Sequence, residues 1–158
     1  MGFSEVFDAA VTAALGYSVN DQFEFQSEAD IQALIFHHAV TFAEQASLPL
    51  KIHAEPSKVG AEPDLVLGDD EVFVEIKLSK SNSGGYKTAL RNWHKDIEKL
   101  RQYRKSFPSA RCVFLAVDDG RYLSNPSSTN FFDPSREKLK GGWKPLRSAS
   151  RFLTAELS

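Results

Sequence analysis

Hydrophobic and polar positions alternate along this chain with two periods, and the order of those periods outlines the fold. Val6, Phe7, Ala10, Val11, Ala14 and Leu15 recur at helical spacing, which predicts an N-terminal helix over residues 1–16, ended by Gly16. A second helix begins after Ser27, a good N-cap, with Glu28 and Asp30 in its first turn where the helix dipole favours acids. Ile31, Leu34, Ile35, Phe42 and Ala46 form its apolar stripe, and Pro49 marks its end. Glu28 and Gln32 lie on that stripe instead of opposite it, and a carboxylate on the buried side of a helix is costly unless something compensates it.

The period then changes to two. Leu48, Leu50, Ile52 and Ala54 alternate with polar residues, 64–67 and 72–78 flank Gly68-Asp69-Asp70-Glu71, and three strands are expected. A loop is expected over 56–62 and a Gly/Ser-rich one over 79–85. Residues 87–107 read as an amphipathic helix carrying Leu90, Trp93, Ile97, Leu100 and Arg104, stopped by Pro108. Cys112 to Val117 is continuously apolar, as in a strand covered on both faces. A loop follows to Pro134. The tail from Ser135 is expected to form a short helix, the Gly141-Gly142 break and a final helix from Leu146. The fold class is α/β (α+β), a mixed sheet flanked by helices. One domain is expected over 1–158, with its core at about 27–118 and a basic C-terminal extension at 119–158.

Composition narrows the function classes. The chain has 158 residues, 42% hydrophobic and 25% charged, near the globular average, which excludes whole-chain disorder, collagen and coiled-coil arrays. No apolar run approaches the ~20 residues that cross a bilayer. The first ten residues carry acids and no bases, unlike a secretory or transit peptide. The single cysteine, Cys112, leaves no internal disulfide or zinc-cysteine cluster and reads as a small core residue. A soluble, cytoplasmic protein is the expectation. The net charge of −2 conceals a division beside Lys77: 2 basic and 14 acidic side chains precede it, and 17 basic and 7 acidic ones follow from Lys77 onward. Such halves can simply attract, or set an acidic metal site beside a basic surface for a polyanion.

The chemistry concentrates in Pro63 to Lys77, PDLVLGDDEVFVEIK. A hairpin turning at Asp69-Asp70 sets Leu67 against Val72, Val66 against Phe73 and Asp64 against Glu75. Opposed side chains lie ~4.5–5.5 Å apart at Cβ, where like charges repel and a divalent cation turns repulsion into binding. Alternation puts Glu75 and Lys77 on one face of their strand and Val74, Ile76 and Leu78 on the other. Two carboxylates suit Mg²⁺, the Ile76 carbonyl offers another oxygen, and Mn²⁺ is expected to substitute. Such an ion polarises a phosphate and lowers the pKa of water. Lys77 can orient that water, accept its proton or stabilise transition-state charge, and crowding by cations would lower its pKa for base work. The competing explanation is a solvent-facing hairpin with Lys77 as a cross-strand partner.

Pro63-Asp64, the eleven-residue step and Glu75-Ile76-Lys77 resemble the motif of the PD-(D/E)xK nuclease superfamily, with its restriction-endonuclease-like fold. The resemblance covers about 27–118 and implies the core order helix, three strands, helix, strand. It implies Asp64 and Glu75 as catalytic metal ligands, Glu28 as a further ligand and Lys77 as the catalytic lysine. Gln102 and Tyr103 resemble a Gln/Tyr motif of one exonuclease branch, but their spacing departs from it, so no branch is assigned. The implied activity is metal-dependent hydrolysis of phosphodiester bonds, in DNA, by in-line attack of a metal-activated water that leaves a 3′-hydroxyl and a 5′-phosphate. Lys80, Lys87, Arg91 and Lys144 are the candidate nucleic-acid contacts. For Asp96, Glu98 and Lys99 ion pairing on a solvated helix face is expected. Trp143 is expected to be a packed anchor, His37 to be exposed, and His38 to sit at the edge of the core. The rival function is a non-catalytic nucleic-acid-binding or assembly subunit. A third, another metal-dependent phosphoester hydrolase, lacks any recognisable nucleotide-binding loop. Specificity would come from a homodimer or a partner subunit.

Overall fold

The structure is a computed structural model that describes residues 1–19, 24–56, 61–80, 85–120, 122–147 and 150–158. Of the loops expected at 56–62 and 79–85, residues 57–60 and 81–84 lie outside the described residues, and Ser79 and Lys80 are strand, paired with Asp118 and Asp119. Two helices, α1 (Phe3–Val19) and α2 (Glu28–Gln45), precede strands β1 (Ile52–Ala54), β2 (Leu65–Leu67) and β3 (Val72–Lys80). Helix α3 (Tyr86–Ser106) leads to β4 (Arg111–Asp119), and a single 3-10 turn at Pro134–Glu137 precedes β5 (Leu139–Arg147) and β6 (Ser150–Leu157). The strands form one mixed sheet in the order β1-β2-β3-β4-β6-β5. Among the described strands only the neighbours β3 and β4 pair in parallel, with α3 between them in sequence and packed on one face of the sheet.

Two apolar clusters sandwich the sheet. On one side α1 and α2 deliver Phe7, Ala10, Ile31 and Ile35 onto Leu65, Leu67, Val74, Ile76 and Leu115. On the other, Trp93, Ile97, Leu100 and Tyr103 of α3 meet Val66, Phe73, Cys112 and Phe114. The continuously apolar β4 is buried from Cys112 to Asp118 because both clusters cover it. Cys112 is a buried core residue, as expected. Trp143 packs on Trp93 with its Nε1–H donated to the Phe132 carbonyl at 3.0 Å, which makes it the anchor expected.

Three expectations need correction. The tail is a β-hairpin and holds no helix from Leu146: β6 pairs antiparallel with β4 from Val113↔Glu156 to Asp119↔Ser150, and β5 pairs with β6. Strands β5 and β6 of the expected extension therefore complete the sheet. Gly16 does not end α1, which runs to Val19; a helical glycine costs only about 1 kcal/mol, and buried Leu15 and Ser18 hold the last turn in place. The first strand is Ile52–Ala54 alone, not Leu48–Ala54, because its partner β2 offers only three residues.

Candidate active site

The β2–β3 hairpin pairs Leu67 with Val72, Val66 with Phe73 and Leu65 with Val74, the register expected. Gly68 (φ 71°) and Asp70 (φ 59°) turn the chain in the left-handed region, and a Cβ at Gly68 would lie 2.8 Å from Phe3. Asp64 lies one residue beyond the last pair, Leu65 with Val74. There β2 ends while β3 continues, so one edge of β3 loses its backbone partner. Side chains replace it. The Ile76 amide donates to Asp64 Oδ2 at 2.5 Å, and the Leu78 amide reaches Glu28 Oε1 at 3.5 Å. The two polar residues on the α2 stripe are thereby explained: Glu28 caps the open edge, and Gln32 Nε2 donates to the Asp64 carbonyl at 2.7 Å.

Glu75 and Lys77 face α3. Glu75 is 1% exposed, and Tyr103 donates its hydroxyl to Glu75 Oε1 at 3.2 Å from a fully buried ring stacked on Phe73. Lys99 Nζ lies 3.1 Å from each Glu75 carboxylate oxygen and 3.6 Å from Asp96 Oδ1. Lys77 Nζ lies 2.9 Å from Asp96 Oδ2 and 3.5 Å from Glu28 Oε2. Burial raises the Glu75 pKa to about 8, helped by the charges of Asp64 and Asp96 and only partly offset by Lys99. Burial also raises Asp64 against its Ile76 hydrogen bond. The phenol of Tyr103 is raised by burial and then by Glu75.

Lys77 departs from expectation. Burial works to neutralise it, but Asp96, Glu28 and Asp64 outweigh burial and raise its pKa, so its ammonium stays charged. Its neighbours are carboxylates, not the cations that base work would require. Asp96 and Lys99 were expected on a solvated face, yet Asp96 is 8% exposed and belongs to the buried stripe Trp93, Asp96, Ile97, Leu100, Tyr103. The position of Asp96 on that stripe, the same oddity that singled out Glu28, is the signal that identifies it, and Lys99 lies half-buried beside it.

The candidate phosphate contacts divide. A cleft of about 370 Å³ opens between Glu28, Lys77 and Ser79 on one side and Thr88, Asn92 and Trp93 on the other. Glu28 also borders a second cleft, of about 390 Å³, with Gln26 and Lys80. Lys80 Nζ is 3.4 Å from Gln26 Oε1, and Lys87 and Arg91 are exposed on α3 one position round from Thr88 and Asn92. Lys144 does not join them. It lies on β5, separated from β3 by β4 and β6, in a groove with Asp8, Val11, Leu15 and Phe152. His37 is exposed and His38 half-buried, as expected; burial lowers the His38 pKa.

The donors of the site are all oxygen. Asp64 and Glu75 present carboxylates, and Ile76, whose amide points out of the open edge, has its carbonyl on the same edge. Among the described residues no group of three or more His, Cys, Asp or Glu is placed to hold an ion. Two carboxylates, a carbonyl and water fit Mg²⁺, which keeps several waters and takes one or two protein carboxylates. Among the described residues no helix is long and apolar enough to cross a membrane. No family model matches this chain, and no curated protein or solved structure matches it.

Proposed function

We propose that this chain is a Mg²⁺-dependent nuclease of the PD-(D/E)xK kind, hydrolysing phosphodiester bonds in DNA. The observation that carries this reading is the convergence of Asp64, Glu75 and Lys77 at the open end of one hairpin, with Glu28 closing the edge. The order α2, β1, β2, β3, α3, β4 supports a restriction-endonuclease-like core. Glu75 and Asp96 are buried and Asp64, Lys77 and Lys99 half-buried, which costs stability that apolar residues would supply, so the cluster is better explained by chemistry than by packing.

Asp64, Glu75 and the Ile76 carbonyl would hold the ion, which when bound supplies positive charge to polarise the phosphate and acidify water. The chain's own part is positional and electrostatic. Asp96 and Glu28 hold the Lys77 ammonium at the mouth of the cleft, charged, where it meets negative charge building on the phosphate. Water attacks phosphorus in line, the bond to the 3′ oxygen breaks, and that oxygen takes a proton. Trp93, Thr88 and Asn92 wall the cleft in which the scissile strand lies. Two copies, or a partner subunit, would supply specificity.

The test is incubation with linear, circular, single-stranded and branched DNA, and with RNA, with and without Mg²⁺ or Mn²⁺. Lys77→Ala should lower hydrolysis by about two orders of magnitude or more while leaving DNA binding nearly intact. Cleavage by Lys77→Ala at the wild-type rate removes Lys77 from the mechanism. A wild type that binds nucleic acid but never cleaves it moves the assignment to the non-catalytic subunit.

A further inference from the structure

We infer that Lys99 is an internal counter-ion for Glu75, a tethered cation that holds the metal's place and must leave when the metal arrives. The inference rests on the metal-site reading above. Glu75 is 1% exposed, so its ionised form, the one that a metal takes, needs a cation beside it that water cannot replace. Lys77 is already held by Asp96 and Glu28. Lys99 instead lies 3.1 Å from both Glu75 oxygens, spanning the edge of the carboxylate that an ion would use. An ammonium and a divalent cation cannot both sit there.

The partners of Glu75 differ in what they can yield. Tyr103 is fully buried and stacked on Phe73, so its hydroxyl is fixed. Lys99 is 32% exposed on a flexible four-carbon stem, and its ammonium can swing outward without disturbing the core. Once displaced it stands beside the phosphate that the ion holds. Metal and polyanion binding are then coupled through one side chain, and the coupling is reciprocal.

The experiment is Mn²⁺ calorimetry on the full chain without nucleic acid, above pH 8 so that a proton does not compete for Glu75, comparing wild type, Lys99→Met and Lys99→Arg. Removing the competing cation should tighten Mn²⁺ binding about tenfold in Lys99→Met, as expected when about a tenth of the wild-type molecules have Glu75 free. Lys99→Arg keeps the charge and should bind like wild type. A wild type that binds Mn²⁺ while Lys99→Met binds no tighter overturns the role of Lys99 and leaves the metal site standing. No Mn²⁺ binding to any of the three overturns both. A second measurement needs no variant: acetylation of wild-type lysines, followed by mass spectrometry, should show Lys99 protected without metal and more reactive with Mg²⁺. Unchanged reactivity despite measured metal binding also overturns the inference.

Discussion

The two faces of β3 obey the same alternation and are put to opposite uses. Toward α1 and α2 the strand presents Val72, Val74 and Ile76, all buried among aliphatic and aromatic neighbours. Toward α3 it presents Phe73, then Glu75 and Lys77, which meet Asp96, Lys99 and Tyr103. The first face is a close-packed core in which each side chain gives up water for contact. The second begins the same way at Phe73 and abandons it two residues later, at the level where β2 stops. Where the sheet loses a strand, backbone amides need new acceptors and carboxylates supply them. The site is built at the place where the sheet is incomplete.

The largest effect that separates the two faces comes from Ile76→Ala. Ile76 is fully buried on the apolar face, and truncation there should destabilise by about 2–5 kcal/mol. Its amide still reaches Asp64, because that bond is made by the backbone. Chemical denaturation measures the loss. A variant that loses nucleolytic activity at temperatures where it remains folded would show that the apolar face is not merely scaffold.

Glu75→Gln should move stability the other way on the polar face, raising that of the metal-free protein by about 1 kcal/mol or more at alkaline pH by removing a buried charge and its repulsion with Asp64. The sign depends on pH. With its pKa raised from 4.5 to about 8, Glu75 keeps in the folded state a proton that the unfolded chain releases. Its contribution is present in full below about pH 4.5 and is lost as pH rises through 8. Metal-free wild type should lose stability across that window, and Glu75→Gln should flatten the loss. The gain conferred by Mg²⁺ should grow with pH, because the ion selects the ionised carboxylate. Thermal unfolding at pH 5 and pH 9, with and without Mg²⁺, settles the sign, and equal pH profiles for the two proteins would refute it.

The hairpin that carries the site is readable because its register is constrained twice, by alternating hydrophobics and by a short turn, and three of the expected pairs form, with Asp64 one residue beyond them. Glu28 and Gln32 were readable as polar residues in an apolar stripe. The β5–β6 hairpin was not. Arg151 to Ser158 contains Leu, Ala and Glu, good helix formers, but β4 is buried on both faces and its exposed edge recruits the segment as a strand. The Gly141-Gly142 pair reads as a break, yet glycine, Lys140 and Pro145 suit an edge strand, where proline needs no ladder partner and lysine discourages further pairing. Gly141 is required there, since a Cβ would lie 2.3 Å from the Thr154 carbonyl oxygen. Asp96 and Lys99 were assigned to solvent because acid and base three apart are ordinary on a helix surface. Only the place of Asp96 on the buried face of Trp93 and Tyr103, with Lys99 at its half-buried edge, distinguishes them.

The smallest effects sharpen the comparison at the surface. Lys87 and Arg91 are exposed on α3 beside the cleft that contains Lys77, whereas Lys144 lies on the α1 side of the sheet. If nucleic acid approaches the polar face, Lys87→Ala and Arg91→Ala should each weaken DNA binding modestly, and each should reduce the slope of log affinity against log salt by about 1. Neither should alter stability by more than about 0.5 kcal/mol, since both side chains are solvated. Lys144→Ala should leave both affinity and slope unchanged. Fluorescence anisotropy of a labelled DNA in Ca²⁺ at several salt concentrations reads all three. A loss at Lys144 equal to that at Lys87 would mean that the DNA reaches the edge strand β5, and the polar face of β3 would then be only part of the binding surface.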